Sequence, residues 1–385
     1  VVPFAGLRRN ARALFGGIVL LVALFLVPDL TPPATEPPPV ELIHGRIVEF
    51  HDRTGGSTGP DVRIEVVQGP RRGQILDGYL QGPSGQIELP RYDIGDDVLV
   101  SISLEPDSTF IAVADLWRIP TLALLLCLFA GAVTLVGGWR GIRSLIALAL
   151  TLGVVIKIVV PLLLGGWDPV WLAVGAATAV TAATFVLTEG LRRSTVAAGV
   201  GTFVALALTA ALAVVFNELA RFTVLQGSES LAYLQTVGRE DLDLGGLLLA
   251  AIIFGALGIL DDVTITQAAT VHELYESDPR MSRLELAGRA MNVGRSHIAA
   301  TVNTLVLAYL GASLPLIILF AAGRQDSLLT ASQEVVAVEV VRALVGSIGI
   351  VAAVPVTTAV AVLLIGRRLP VVGEGTGIQR APGWD

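Results

Sequence analysis

The feature that most constrains this chain is the recurrence of apolar stretches about twenty residues long. They occupy 13–28, 119–137, 145–164, 169–188, 195–216, 245–270, 296–322 and 343–365, the first being short. A helix needs roughly 20 apolar residues to cross the hydrocarbon core of a bilayer. Within lipid every backbone polar group must be satisfied inside the segment, so helices are the form these runs can take. Composition agrees: 53% of the 385 residues are hydrophobic and 15% are charged, whereas a soluble domain is about a quarter charged. The expected fold class is an α-helical polytopic membrane protein with about eight transmembrane helices.

Basic residues orient these spans. Arg8, Arg9 and Arg12 precede the first run, which places the N-terminus in the cytoplasm. Counting from there, Arg140/Arg143, Arg192/Arg193, Arg280/Arg283/Arg289/Arg295 and Arg367/Arg368 all fall inside, and so does the C-terminus. Trp117, Trp139, Trp167 and Trp171 stand at span ends, where amphipathic rings belong. The expected location is the plasma (inner) membrane, with residues 29–117 outside. The first run also resembles a secretory signal, but no small-x-small site follows it, so a retained anchor over 1–28 is the expectation. Cys127 is the single cysteine and lies in a span, which excludes an intrachain disulfide.

Residues 29–40 (DLTPPATEPPPV) read as an extended proline-rich linker. From 41 to 117, short strand-like runs such as "ELIHGRIVEF", "DVRIEVVQG" and "DDVLVSISLE" alternate with Gly, Pro, Asp and Ser. They predict a small extracytoplasmic β domain, a barrel of OB or SH3 type. "YDIGDDVLVSI" predicts a tight turn feeding a strand. Between Asp29 and Arg118 there are 15 acidic and 7 basic residues, which argues against nucleic acid or anionic lipid as this domain's partner. A seven-helix membrane domain is expected over 118–368 and a cytoplasmic tail over 369–385. Within the former, 277–294 opens with the capping box "SRLE" at 282–285 and reads as a short amphipathic helix along the cytoplasmic surface.

Three charges lie within the apolar spans. Arginine occurs 25 times and lysine once, and that lysine, Lys157, is near the centre of the 145–164 span. Lysine can lose its proton when desolvated, whereas arginine effectively cannot. Asp261 and Asp262 interrupt the 245–270 span slightly inside the midplane, less than ~10 Å in depth from Lys157. A charge at the bilayer centre costs about 2.5–3.5 kcal/mol on insertion scales, so each needs a reason. Neighbouring residues on a helix point about 100° apart. One aspartate can therefore meet Lys157 while the other faces a hydrated path. Asp262, Thr266, Thr270 and Glu273 form a polar stripe toward the cytoplasm, and Gln267, Thr301 and Asn303 are further candidates to line a path. The alternative is a buried ion pair that only pins helix packing, with Thr266 and Asn303 as interhelical hydrogen-bonding groups. His44, His51 and Asp52 could in principle ligate a metal but read better as edge and loop residues, so no metal or cofactor is expected. Neither a nucleophile elbow nor an HExxH pattern occurs, and no enzymatic activity is expected.

"GALGILDDVTITQAATVHELYE" (255–276) and "RAMNVGRSHIAATVNTLVLAYLGASLP" (289–315) stand in the order found in the YibE/F family of multipass bacterial membrane proteins. The resemblance extends over nearly the whole chain, from the N-terminal anchor through the "HGRIVE" segment to the membrane domain. The family's version of the first stretch carries one aspartate, so either Asp261 or Asp262 corresponds to it. The family implies an architecture rather than a reaction. A fainter likeness links "GILDDVTITQAATVHELYE" to the acidic helix of RND-type proton-driven exporters and SecD/SecF proteins. That likeness implies acids that carry protons and a lysine on another helix that neutralises them.

The sequence thus leads to a proton- or cation-coupled transporter or energy-coupling component. Asp261, Asp262 and Lys157 would form its relay, with Thr266, Gln267, Thr301 and Asn303 along the path. Its expected partners are the lipid bilayer and a transported small molecule or ion, together with a second copy or an extracytoplasmic protein met through the β domain. A non-transporting scaffold is the competing expectation. An intramembrane aspartyl protease is disfavoured, because 257–262 reads Leu-Gly-Ile-Leu-Asp-Asp rather than Gly-x-Gly-Asp.

Overall fold

The computed structural model of the chain describes residues 4–28, 30, 40–51, 61–80, 92–105, 108–222, 243–322 and 327–365. Most of the expected proline-rich linker, Asp52 and residues 369–385 lie outside the described residues. The chain divides into two compact units, one within 33–142 and the other combining the first helix with residues from Arg143 onward.

The first unit contains a closed five-stranded barrel: β1 (Val40–Phe50), β2 (Val62–Val66), β3 (Ile75–Leu80), β4 (Asp97–Glu105) and β5 (Ser108–Leu116). Its order is β1-β2-β3-β5-β4, with β3 and β5 parallel and the other pairs antiparallel. That topology is of the OB rather than the SH3 type. β1 closes the barrel because it is long enough to serve two neighbours, pairing through Val40–Arg46 with β4 and through Gly45–Phe50 with β2. The crossing point is Gly45, where a Cβ would collide with the Ile64 side chain. Inward residues alternate along the strands, and Ile47, Val62, Ile64, Val98, Val100 and Val113 fill the interior. The expected turn before β4 forms with Gly95 at φ +99°, a conformation open to glycine.

The helices are α1 (Phe4–Leu26), α2 (Ile119–Val154), a π-helical turn (Val155–Val159), α3 (Val160–Leu164), α4 (Pro169–Thr188) and α5 (Arg193–Ala220). They continue with α6 (Leu244–Ser277), α7 (Arg283–Ala312), α8 (Leu314–Ala322), α9 (Ser327–Ala331) and α10 (Glu334–Leu364). Among the described residues, five helical segments are long and apolar enough to cross a membrane: 119–164, 169–188, 193–220, 244–277 and 334–364. These account for six of the eight expected spans, because 119–164 contains two of them. Within it Gly138 is non-helical, at φ 53° and ψ −135°, and a Cβ on Gly141 would collide with the Val133 carbonyl. Eight residues of straight helix would hold those two positions about 12 Å apart along the axis, so the chain reverses sharply there. The division between the two compact units falls at 142/143, shortly after this reversal. The apolar part of α1, Leu14–Leu26, is shorter than a full span.

One expectation is corrected. Residues 283–312 form a single 30-residue helix, not a surface helix followed by a separate span. Ser282 does cap it, accepting from the Glu285 amide at 3.2 Å. No proline interrupts the helix before Pro315, and the bare Cα of Gly294 lies against Gln267 and Val354. The amphipathic segment is therefore drawn into the bundle by a close approach that a side chain at 294 would prevent.

α6 is the central helix of the second unit and packs on α4, α5, α7 and α10. The core is built of small and branched residues, including Ala173, Ala177, Ala205, Ala256, Leu260 and Ala353. Close backbone approach, rather than exclusion of water, holds helices together in lipid. α5 and α10 show it twice. Gly201 of α5 receives the Thr357 side chain, and Gly349 of α10 receives that of Thr209, with eight residues between the contacts on each helix.

Candidate intramembrane acidic site

Asp261 lies half-buried on the face of α6 that meets α4 and α5. Its carboxylate accepts from Thr181 Oγ1 of α4, at 2.9 Å to Oδ1 and 3.1 Å to Oδ2. Thr202 of α5 lies near the same carboxyl, with its Oγ1 2.7 Å from that of Thr264. Thr264 in turn donates to the Asp261 carbonyl at 3.2 Å. Thr181, Thr202 and Thr264 are all buried. Local sequence explains the arrangement: Ala173, Ala177 and Thr181 recur every four residues on the buried face of α4, so the helices approach closely enough for a short hydroxyl to bridge them.

Among the described residues no ion pair reaches Asp261; its partners are hydroxyls. A threonine hydroxyl both donates and accepts. The site can therefore hydrogen-bond the ionised carboxylate and the neutral acid alike, which is what a group that exchanges a proton requires.

A cavity of about 350 Å³ lies beside the cluster, between α4 and α5. Thr178, Thr181, Thr195 and Thr202 supply its polar lining, and Phe185 and Phe203 belong to its apolar wall. Hydroxyls on an otherwise apolar wall leave room and partners for water or a small solute next to Asp261.

The two aspartates separate as helix geometry requires, with Asp261 turned into the bundle and Asp262 exposed. Lys157 occupies the π-helical turn, whose neighbour in the second unit is α4. Among the described residues it makes no ion pair with either aspartate. Thr266 and Asn303 are exposed and Thr301 is half-buried. Gln267 is buried as a tie between three helices, its Nε2 donating to the Ala290 carbonyl at 3.1 Å and to Thr358 Oγ1 at 2.7 Å. None of these four lines the cavity beside Asp261. The groups that sequence reasoning missed are Thr181, Thr202 and Thr264. The available signal was the run of threonines, Thr178, Thr181, Thr184 and Thr188, in an alanine-rich span. Among the described residues, no three of His, Cys, Asp and Glu gather as a metal site.

The model of the YibE/F-like protein family matches residues 125–367. The chain belongs to the YibE/F-like family. The match takes in every helix of the acidic site, whereas α1 and the barrel lie outside it. No curated protein and no solved structure matches this YibE/F-like chain.

Proposed function

We propose that this YibE/F-like protein is a proton-coupled transporter or energy-coupling component of the plasma membrane, with Asp261 as the residue that takes up and releases the proton. The observation that carries this reading is the setting of Asp261: an acid inside the bundle, partnered by the Thr181 hydroxyl of another helix, beside a threonine-lined cavity. A carboxyl that changes charge among α4, α5 and α6 biases their packing, and a coupled carrier needs such an element. Lys157 then acts from a distance or in another packing of the helices. Asp262 faces away and is a secondary group.

In this reading the membrane domain makes eight crossings, with both termini inside and residues 29–117 outside. Support comes from the reversal at Gly138, since a straight 46-residue helix would be about 69 Å long against a hydrocarbon core of about 30 Å. The placement of the arginines supports the orientation.

The scaffold reading retains one specific observation, that Asp261–Thr181 and Gln267–Thr358 each tie two helices together. Asparagine at 261 could keep the bond to Thr181, so a scaffold should tolerate it. The experiment is proton release from the protein in nanodiscs across pH 5–9 for wild type, Asp261→Asn and Asp262→Asn. Loss of a titration step in Asp261→Asn alone, with the fold intact, is the expected result. If the three proteins release protons identically, Asp261 is a packing pin.

A further inference from the structure

A second cavity, of about 500 Å³, opens where three helices end. Leu191, Arg192, Arg193 and Ser194 contribute from the start of α5, His272, Tyr275 and Glu276 from the end of α6, and Ala361 and Ile365 from the end of α10. The two arginines are not equivalent. Arg193 Nη1 donates to the Leu364 carbonyl at 3.1 Å and so closes the end of α10. Arg192, the residue before the first turn of α5, makes no hydrogen bond or ion pair among the described residues. It is exposed and borders the cavity. A guanidinium presents five N–H donors in a planar fork, and one bond to Leu364 leaves most of those on Arg193 free as well.

We infer that this cavity binds a phosphodiester monoanion, held chiefly by Arg192 with Arg193 beside it. Charge sets the class of ligand. Among the arginine and carboxylate side chains that line it, two guanidiniums against the Glu276 carboxylate leave one net positive charge. A singly charged phosphodiester balances that, whereas a doubly charged phosphomonoester would meet repulsion from Glu276. Arg192 and Arg193 are also among the arginines that mark the cytoplasmic side, where basic pockets between spans meet phospholipid headgroups. Two sources can supply the chemistry: the headgroup of a lipid in the inner leaflet, or a soluble phosphodiester. The Asp261 proposal is not needed for this inference, although the two cavities share Leu191.

The test uses the full chain in phosphate-free detergent. Binding of phosphatidylglycerol, and separately of glycerophosphoglycerol, which is the same diester without acyl chains, is measured by native mass spectrometry. Wild type is compared with Arg192→Gln and Glu276→Gln. Arg192 has no partner among the described residues, so its variant should match wild type in elution and thermal midpoint. Arg192→Gln should weaken binding by about tenfold or more, the usual consequence of losing a charged hydrogen bond. Glu276→Gln should tighten it. Retention of the lipid alone assigns the site to the bilayer, and equal retention of the chain-free diester assigns it to a soluble ligand. Equal binding by wild type and Arg192→Gln, or weaker binding by Glu276→Gln, overturns the inference.

Discussion

Asp261 and Asp262 are neighbours of the same chemistry, and the rotation of about 100° between successive helical residues gives them different environments. Asp261 meets Thr181 across a helix interface; Asp262 is exposed and makes no hydrogen bond or ion pair among the described residues. A double-mutant cycle makes the difference measurable. Thr181→Val and Asp261→Ala should couple by about 0.6 kcal/mol, the average for hydrogen bonds between membrane helices. Thr181→Val and Asp262→Ala should be additive within error. Coupling of the same size in both cycles would mean that Thr181 acts on the fold in general and not on Asp261. Thr357 offers a residue-scale prediction of the opposite sign. Its side chain is buried against Gly201, and its hydroxyl has no partner among the described residues. An unsatisfied buried hydroxyl costs free energy that an isosteric methyl does not. Thr357→Val should leave thermal stability unchanged or raise it by up to about 1 kcal/mol, and a clear loss would show that the hydroxyl is bonded in the membrane.

At the scale of elements, the glycines at 137 and 138 make a sharp comparison. Gly138 has φ 53°, and Gly137 is not among the positive-φ residues. A side chain at 138 should cost about 1–3 kcal/mol through backbone strain, while one at 137 should cost little. Thermal unfolding of Gly138→Ala and Gly137→Ala reads this directly, and equal midpoints would place the reversal elsewhere. The same region shows what sequence makes legible. The apolar runs mark segments that prefer lipid, and they locate α4, α5, α6 and α10 well because burial in lipid is a property of composition. Helix continuity is a property of the backbone, and hydropathy does not report it. Arg289 and Arg295 interrupt the apolar pattern near residue 295 without breaking α7, whereas Pro315 accompanies the break at Ser313 because its nitrogen has no hydrogen to donate. The acids of the site were visible as charges out of place. Their hydroxyl partners were not, because which threonines reach Asp261 depends on the packing of α4 and α5 on α6. Charge complementarity pointed to Lys157, but helix adjacency decides contact, and the turn carrying Lys157 meets α4.

At the scale of the whole molecule, the barrel and the bundle should respond to acid on separate grounds. The Arg46 guanidinium, bonded to Asp97 at 2.9 Å, holds that carboxyl below its ordinary value, and Arg118 does the same for Asp115. A carboxyl whose pKa is lower in the folded state contributes stability above its unfolded value, about 3.9, and loses it as the pH falls through the folded value. The barrel should therefore weaken as the pH falls below about 4. Arg46→Ala should lower stability near neutral pH and make that acid weakening smaller. Hydrogen exchange of β1 and β4 against pH would show it, and an unchanged profile would mean that Arg46 is a solvated surface charge. In the bundle, the paired notches of α5 and α10 have a mechanical meaning. Each helix supplies one peg and one socket, set eight residues apart, so neither can slide or roll on the other without withdrawing both pegs together. The two therefore travel as one beam, and in the proposed proton-coupled reading the element left to move is α4, which carries Thr181.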